Sequence, residues 1–293
     1  TTQTPGLFSP SLNLCYPQAA AKQAAKLGAK VACLDFVKPS PRGSTWGLGG
    51  TCVNVGCIPK KLMHQAGILG ESFSDAKEYG WHVRNDGHNW NKMVTSIQDH
   101  IGSLNFGYRT ALRDNGVTYL NAFGSFIDAH TLAATKKNGK IETMTANRIL
   151  IAVGGRPSYL DVPGAEECCI TSDDIFSLPE APGRTLCVGA SYISLETAGF
   201  LTALGYDTTV AIRSIPLRGF DTEIAEKIVG YMERHGTKFM RDSQPCAFEK
   251  RAGGKIAVKV KNTVFGNEFE TEFDTVILAV GRHAVTAGLN LGA

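Results

Sequence analysis

The succession of strand, turn, helix and strand over residues 185–213 constrains the fold of this chain more than any other feature. The apolar run Thr185–Val188 leads into a short turn, a helical pattern extends to Leu204, and a second apolar run covers Thr208–Ile212. This is the order of a βαβ unit, in which backbone N–H groups at the helix N-terminus receive a phosphate. The sequence therefore predicts a parallel α/β fold with a nucleotide site at the turn.

The turn carries an incomplete glycine fingerprint, so by itself it is weak support for a nucleotide site. Ser191 and Ser194 stand where the pattern has its second glycine and its third small residue. The candidate contacts with the nucleotide are the residues of the turn, namely Gly189, Ala190, Ser191 and Tyr192.

The end of the second strand gives the stronger signal. An acidic residue there would bind the 2′-hydroxyl of NAD, whereas this chain has Arg213, Ser214 and Arg218. Guanidinium groups suit a 2′-phosphate through charge-assisted, often bidentate hydrogen bonds. The sequence favours NADPH over NADH; the alternative is that the arginines simply face solvent.

Cys52 and Cys57 form the second chemical signal. They lie five residues apart, behind a Gly-Gly-Thr turn that includes Gly50 and Thr51. Zinc usually takes four ligands in two close pairs, and the adjacent Cys168 and Cys169 are too close together for such a pair. A redox role is therefore favoured over a metal site, and the alternative is two buried structural cysteines.

A disulfide between these cysteines sets a condition on the backbone. Five residues of straight helix rise by roughly 7.5 Å, more than the ~4.4–6.8 Å allowed between the α-carbons of a disulfide. We therefore expect an irregular or tightened segment, relaxed at Gly56 and followed by a helix start at Pro59. Lys60 and Lys61 place positive charge beside Cys57, which favours the thiolate that performs exchange chemistry.

Composition narrows the class of protein. With 43% apolar and 19% charged residues among 293, the chain can bury two cores. A net charge of +3 without a basic cluster gives no support for nucleic-acid binding. No apolar run reaches the length of a membrane span, and the start lacks the features of a secretory signal. The eight cysteines do not resemble an extracellular disulfide framework, so we expect a reducing compartment.

The N-terminal region is the weakest part of the prediction. A dinucleotide unit should begin with a strand and a glycine turn, but Pro5, Pro10 and Pro17 are expected to interrupt any strand there. A helix from Gln18 and a strand at Lys30–Asp35, which ends in the acidic Asp35, are still expected. The phosphate loop that should precede them is not found in the sequence.

Further along, local patterns predict helices followed by strands. Residues 67–116 have helical spacing, with a stripe that includes Met93 and Ile101 and that we interpret as core. Strands are expected at 117–120, 124–128 and 148–153, closed by turn residues at 154–157, and again at 255–261 and 273–280.

The segment 46–66 resembles the redox-active segment of the pyridine nucleotide-disulfide oxidoreductases, and its Lys-Lys-Leu-Met-His-Gln-Ala continuation is most similar to the animal-type thioredoxin reductases. The resemblance covers roughly residues 18–291. It implies two nucleotide-binding, Rossmann-like domains, for FAD and NADPH, in truncated form. The implied boundaries are 1–157 for an FAD domain incomplete at its N-terminus, 158–282 for an NADPH domain, and 283–293 for the start of a return to the FAD domain.

The resemblance also implies roles for individual residues. Cys57 would face the flavin and Cys52 would exchange with the substrate, while Lys60 would pair with Glu196 near the flavin and join the two domains. Tyr192 would cover the flavin and move aside for nicotinamide. The remaining implied cofactor contacts are Asp35, which on spacing alone could equally be an ordinary strand-end acid, Gly50, Thr51, Phe123, Gly124, Arg156 and Arg282.

Some parts of the family pattern are not found in these residues. The Gly-Asp flavin motif, the interface domain with its His–Glu pair and the C-terminal redox pair are all lacking, and His64 is expected to be a helix-surface residue rather than a base. We therefore expect an NADPH- and FAD-dependent reductase of a protein disulfide, thioredoxin being the implied partner, in a family that is homodimeric. The expected compartment is cytoplasmic or mitochondrial. Two alternatives remain open. One is a truncated or spliced member that binds NADPH or a partner without turnover. The other is a glutathione reductase, which the run Arg213–Asp221 argues against.

Overall fold

The structure, a computed structural model, describes the backbone of residues 6–10 and 16–293 and the side chains of residues 18–293. The chain divides into two compact units. Unit 1 comprises residues 1–54, 99–156 and 283–293, and unit 2 comprises residues 55–98 and 157–282. The chain passes from unit 1 to unit 2 after residues 54 and 156 and returns after residues 98 and 282.

Unit 1 is built on a parallel sheet with helices between its strands. Its N-terminal part contains β1 (Gly6–Pro10), α1 (Tyr16–Lys26), β2 (Val31–Leu34) and α2 (Gly50–Val55). After α3 (Cys57–Glu78), which belongs to unit 2, α4 (Trp90–Asp114) returns the chain to β3 (Thr118–Leu120). The later strands are β4 (Ala122–Asp128), β5 (Thr131–Lys136), β6 (Ile141–Thr145), β7 (Ile149–Ala152) and β8 (Gly155–Pro157).

The parallel sheet has the strand order β3-β2-β1-β7, and β4-β5-β6 form an antiparallel sheet. Apolar side chains of β2 are buried on both faces of the sheet, as expected for a strand covered on both sides. Leu34 packs with Leu132 under the antiparallel sheet, whereas Cys33 packs with Leu112 of α4.

One prediction for this region was wrong. Residues 6–10 do form a strand, which lies between β2 and β7. The prolines did not prevent it because Pro10 is its last residue and Pro5 precedes it, so the interior of the strand keeps its N–H groups. The phosphate loop that the sequence analysis found lacking falls on residues 11–15, outside the described residues.

Unit 2 contains the predicted βαβ unit. Its first elements are α5 (Ala165–Cys168), β9 (Ile170–Thr171), β10 (Thr185–Val188), α6 (Tyr192–Ala203), β11 (Thr208–Ala211) and α7 (Thr222–Arg234). They are followed by β12 (Lys238–Met240), β13 (Ser243–Lys250), β14 (Ile256–Asn262), β15 (Glu268–Phe273) and β16 (Thr275–Leu278). The last strand, β17 (Arg282–Ala284), covers the point at which the chain returns to unit 1. Short 3₁₀ turns cover Ile175–Ser177 and Ala252–Gly254.

The main sheet of unit 2 is parallel, with the order β12-β11-β10-β16-β9, and β13-β14-β15 form an antiparallel sheet. Strand order reverses between β10 and β16, and ligands of open α/β sheets bind at the carboxyl ends of strands at such a point. In the core of unit 2, Leu186, Val276 and Leu278 of the parallel sheet pack in one cluster with Val258 of the antiparallel sheet. The predicted fold class, α/β with parallel sheets, is therefore confirmed.

The sequence located most elements but missed some boundaries. The predicted helical region 67–116 is two helices, α3 and α4, separated by residues 79–89. The closing turn at 154–157 includes the short strand β8, which pairs with β17, and the strand expected at 273–280 breaks at Asp274. None of the helices in the described part of the chain is long and apolar enough to cross a membrane.

Candidate active site

The two candidate redox cysteines lie on either side of a break between helices. Cys52 is half-buried in α2, and Cys57 is the exposed first residue of α3, with a free thiol. Gly56, with φ −149° and ψ −119°, separates the helices, so the irregular segment that the sequence required is confirmed. Pro59 falls in the first turn of α3, where its missing N–H breaks no helical hydrogen bond.

Lys60 and Glu196 form the expected ion pair, but they do so within one compact unit and not between two. Lys60 Nζ lies 2.9 Å from Glu196 Oε1, although 136 residues separate the two along the chain. Both residues belong to unit 2, so the pair joins α3 to α6 within that unit. His64, one turn further along α3, is exposed, as the sequence analysis expected of a helix-surface residue.

A cleft of about 500 Å³ opens in unit 2 at the carboxyl ends of β10, β11 and β16. The turn from Gly189 to Tyr192 forms one side, at the N-terminus of α6, where the helix dipole favours an anion. Gly189 has φ +103°, and a Cβ on it would lie 2.6 Å from the carbonyl oxygen of Ala279, so only glycine fits there. The hydroxyl of Ser191 donates to the same carbonyl at 3.3 Å instead of capping α6.

The loop after β11, which carries Arg213, Ser214 and Arg218, also lines the cleft. All three side chains are exposed, and Arg218 Nη2 donates to Ser214 Oγ at 2.7 Å. The structure thus brings together the turn and the arginines that the sequence singled out. Guanidinium groups and the amides of a helix N-terminus are groups that bind phosphates.

Leu217 is a residue of this cleft that sequence reasoning missed. It has φ +45°, a left-handed conformation that is costly for a leucine, and its backbone N–H donates to the carbonyl of Ala190 at 2.8 Å. Only its position in the run between Ser214 and Arg218 could have drawn attention to it, since a leucine gives no local signal for positive φ.

A smaller cavity of about 260 Å³ adjoins the N-terminus of α6. Tyr192, Ser172 and Arg282 line it. Tyr192 is 55% exposed, so its ring is not held in the core of the unit. The cavity thus brings together Tyr192, which the resemblance places over the flavin, and Arg282, which it places near NADPH.

Asp35 is the candidate ribose ligand of unit 1. It follows β2 and is only 7% exposed, and its backbone N–H donates to Leu120 at 2.9 Å. Burial raises the pKa of the Asp35 carboxyl to about 7, against a smaller lowering by the backbone N–H of Phe36. A buried carboxyl at the carboxyl end of a parallel strand suits a ligand hydroxyl.

The Gly-Gly-Thr turn of unit 1 is held by an amide network that the sequence did not reveal. The amide of Asn105, on α4, donates to Leu48 O at 2.6 Å and to Asn54 Oδ1 at 2.9 Å. The amide of Asn54 donates in turn to Gly50 O at 2.8 Å, and Thr51 is buried behind it. These contacts fix the backbone of the turn that starts α2.

The remaining candidates of unit 1 lie around two aromatic rings. Phe123 and Gly124 are in β4, and the Phe123 ring meets Phe36 edge-on at 6.3 Å with Lys38 Nζ 4.9 Å from its centroid. Arg156 stacks over Trp46 at 4.8 Å and donates to the carbonyl of Lys38 at 2.7 Å.

Comparison with known proteins agrees with this architecture. The sequence model of the pyridine nucleotide-disulphide oxidoreductases matches residues 18–293. The thioredoxin reductase SEP1 of Emiliania huxleyi is 54% identical over 275 residues, which cover 93% of this chain and 55% of that protein. The chain thus spans about half the length of this curated relative. Because the family match extends over nearly the whole chain, the chain belongs to the pyridine nucleotide-disulphide oxidoreductase family.

Proposed function

We propose that this chain is the FAD- and NADPH-binding part of a thioredoxin-reductase-like enzyme that reduces a protein disulfide through Cys52 and Cys57. The observation that carries the proposal is the Lys60–Glu196 ion pair. It ties α3, which begins at the exposed Cys57, to α6, which begins at the nucleotide turn. A thiol at one helix N-terminus and a nucleotide site at another are thereby held in one compact unit.

The cleft of unit 2 supports NADPH as the electron donor. The turn at Gly189 would receive the pyrophosphate, and Arg213, Ser214 and Arg218 would bind the 2′-phosphate. Arg282 and Tyr192 line the adjoining cavity, which would take the nicotinamide. The 158–282 segment is accordingly our proposed NADPH domain.

The chain's residues also fit FAD in unit 1. Asp35 would bind the adenosine ribose, Gly50 and Thr51 would contact the cofactor beside the cysteines, and Phe123, Gly124 and Arg156 complete the proposed contacts. The fit rests on the buried carboxyl of Asp35 at the end of a strand of a parallel sheet. When bound, FAD supplies the two-electron chemistry that links NADPH to a disulfide. Residues 1–157, with the return at 283–293, are our proposed FAD domain, although residues 55–98 of this range pack in unit 2.

The protein's own step is thiol–disulfide exchange. Reduction of the Cys52–Cys57 disulfide by two electrons yields two thiols, and the Cys52 thiolate attacks an acceptor disulfide to give a mixed disulfide and one released thiol. Cys57 then attacks the Cys52 sulfur, which re-forms the internal disulfide and releases the second thiol. Lys60, held by Glu196, would provide positive charge near Cys57 during this cycle.

The partner and compartment are part of the proposal. The relative is named a thioredoxin reductase, which supports thioredoxin as the final acceptor. We propose an animal-type, homodimeric enzyme from the resemblance of the cysteine segment alone. We propose a cytoplasmic or mitochondrial location, with no nucleic-acid or membrane partner. Glutathione reductase is the neighbouring enzyme assignment, and the Arg213–Asp221 run favours thioredoxin reductase over it.

A non-catalytic family member is the second candidate function. Such a member would bind NADPH or a partner without turning over. This candidate predicts little or no bound flavin, and that separates it from the enzyme.

Visible absorption of the purified chain, before and after NADPH is added, tests the proposal. We expect a flavin band that bleaches with NADPH and a long-wavelength shoulder from a thiolate–flavin contact. The shoulder should persist in Cys52→Ser and disappear in Cys57→Ser, with Cys246→Ser as the control. A colourless protein that still binds NADPH would exclude the enzyme and support the non-catalytic member.

A further inference from the structure

The proposed NADPH cleft contains a backbone contact between its two phosphate-binding parts. The N–H of Leu217, in the arginine loop, donates to the carbonyl of Ala190, in the turn before α6, at 2.8 Å. Ala190 lies between the glycine of the turn and the cap of α6, so its carbonyl belongs to the part of the cleft that would bind the pyrophosphate. One hydrogen bond therefore fixes the loop relative to the turn.

The left-handed conformation of Leu217 shapes the loop around its arginine. At φ +45° the chain reverses, and the carbonyl of Leu217 accepts the N–H of Phe220 at 2.9 Å. The same reversal accompanies the contact between Arg218 Nη2 and Ser214 Oγ at 2.7 Å. A non-glycine residue keeps this conformation only where surrounding contacts require it.

The other end of the loop is attached to the antiparallel sheet. Thr263, just after β14, donates its hydroxyl to the carbonyl of Arg213 at 3.0 Å. The N–H of Thr263 donates to the carbonyl of Asp242 at 2.7 Å, so the threonine is itself fixed on the backbone. The loop is thus held at Arg213 by Thr263 and at Leu217 by Ala190.

We propose that the amide of Leu217 and the hydroxyl of Thr263 are the positioning groups that set the selectivity of this cleft for a 2′-phosphate. Neither group carries charge, and neither is expected to touch the phosphate. They act through Arg213 and Arg218, whose exposed, flexible side chains discriminate a phosphate only if the loop holds their backbone in place. The inference rests on the proposed use of NADPH. It adds which residues give the cleft a preference for NADPH over NADH.

The test compares the binding of 2′,5′-ADP and 5′-AMP by calorimetry, because these ligands differ only in the 2′-phosphate. Leu217→Gly keeps the N–H and accepts positive φ, whereas Leu217→Pro lacks the N–H and fixes φ near −65°. Both lose the leucine side chain, so their difference isolates the backbone. We expect Leu217→Gly to keep the preference for 2′,5′-ADP within about twofold and Leu217→Pro to reduce it by roughly tenfold or more.

Thr263→Val gives a second, milder variant in case Leu217→Pro does not fold. Because the Thr263 hydrogen bond is exposed, its loss should reduce the preference by about threefold, while Thr271→Val on β15 should leave it unchanged. A folded Leu217→Pro chain or a Thr263→Val chain with the original preference would overturn the inference. If the unmodified chain itself shows no preference for 2′,5′-ADP, the proposed use of NADPH fails, and the inference fails with it.

Discussion

Gly67 of α3 lies directly against Ala203 of α6. A Cβ built on Gly67 would be 2.7 Å from the Cβ of Ala203, closer than two such atoms can approach. The glycine therefore permits the helix contact at which the thiol-bearing helix and the nucleotide helix of unit 2 meet. The Lys60–Glu196 ion pair lies on the same two helices, about two turns of α3 before Gly67.

Gly67→Ala is expected to destabilise unit 2. The Cβ of Ala203 is bonded directly to the backbone of α6 and cannot rotate away from the added methyl group. The two helices must therefore separate, which costs about 1–3 kcal/mol in the free energy of unfolding. Gly199→Ala is the matched control, since a Cβ there meets nothing within 4 Å and should be neutral or stabilising by about 0.4–1 kcal/mol. Denaturant unfolding of both variants measures the difference; equal stabilities would show that the helix contact is not close in solution.

The Lys60–Glu196 pair is expected to contribute little to stability. Its side chains are 29% and 41% exposed, so solvent screens much of the attraction. A double-mutant cycle of Lys60→Met and Glu196→Gln in thermal unfolding should give a coupling below about 1 kcal/mol. We expect a larger effect on the rate at which NADPH bleaches the flavin, because the pair connects the helix that begins at Cys57 with the helix that begins at the nucleotide turn. A large coupling in unfolding with an unchanged rate would assign the pair a structural role instead.

Asp35 should make the stability of unit 1 fall as pH rises from about 4 to about 7. Its pKa is raised from 3.8 to about 7 in the folded chain, so between these values the folded state holds a proton that the unfolded state has lost. The shift corresponds to a stabilisation on the order of 4 kcal/mol. This stabilisation is fully present below the pKa that Asp35 has in the unfolded chain, and it is lost as the pH rises through the pKa that Asp35 has in the folded chain. Asp35→Asn should remove this dependence and be more stable at pH 8.

Urea unfolding of the whole chain at pH 5 and pH 8 measures the effect. Asp86→Asn, at an exposed position, is the control and should leave the pH dependence intact. If Asp35→Asn retains the full pH dependence, the carboxyl is not buried in the unliganded chain.

Alkylation should distinguish the cysteines by burial. Cys57 is exposed, whereas Cys33 and Cys187 are buried, and burial raises the pKa of both of these thiols to about 12. At pH 8 only a minute fraction of either buried thiol is ionised, and the thiolate is the reactive form. Mass spectrometry after brief treatment with iodoacetamide should therefore find Cys57 labelled and the other two unlabelled in the native chain.

Denaturation supplies the control for this experiment, because all three cysteines should then react. Rapid labelling of Cys187 in the native chain would contradict its place in the central strand of the parallel sheet.

The sequence predicted well wherever the signal is local. The apolar run at 185–188, the turn at Gly189 and the strand from Thr208 depend on short-range periodicity and on turn chemistry, and the structure has each of them. The strand at residues 6–10 was missed because prolines near its ends resemble breakers, while its pairing with β2 and β7 is a long-range contact.

The residues of the candidate site also fall into those that a local sequence signal reveals and those that it does not. Cys57, Arg213 and Arg218 could be named from motif and spacing, because their chemistry shows in the residue types themselves. Leu217 and Asn105 could not, since one acts through its backbone conformation and the other through an amide that reaches a distant turn.

By itself, the sequence determined the α/β class, the βαβ unit, the cysteine segment and the arginines after the second strand, because propensity, period and residue chemistry are properties of short stretches. Only the tertiary structure decided that α3 packs on α6 at Gly67 and that the Lys60–Glu196 pair lies within one compact unit. It alone also decided that the arginine loop is tied to the turn through Leu217. These relationships depend on chain segments far apart in sequence, which packing and hydrogen bonding bring together only when the whole unit folds.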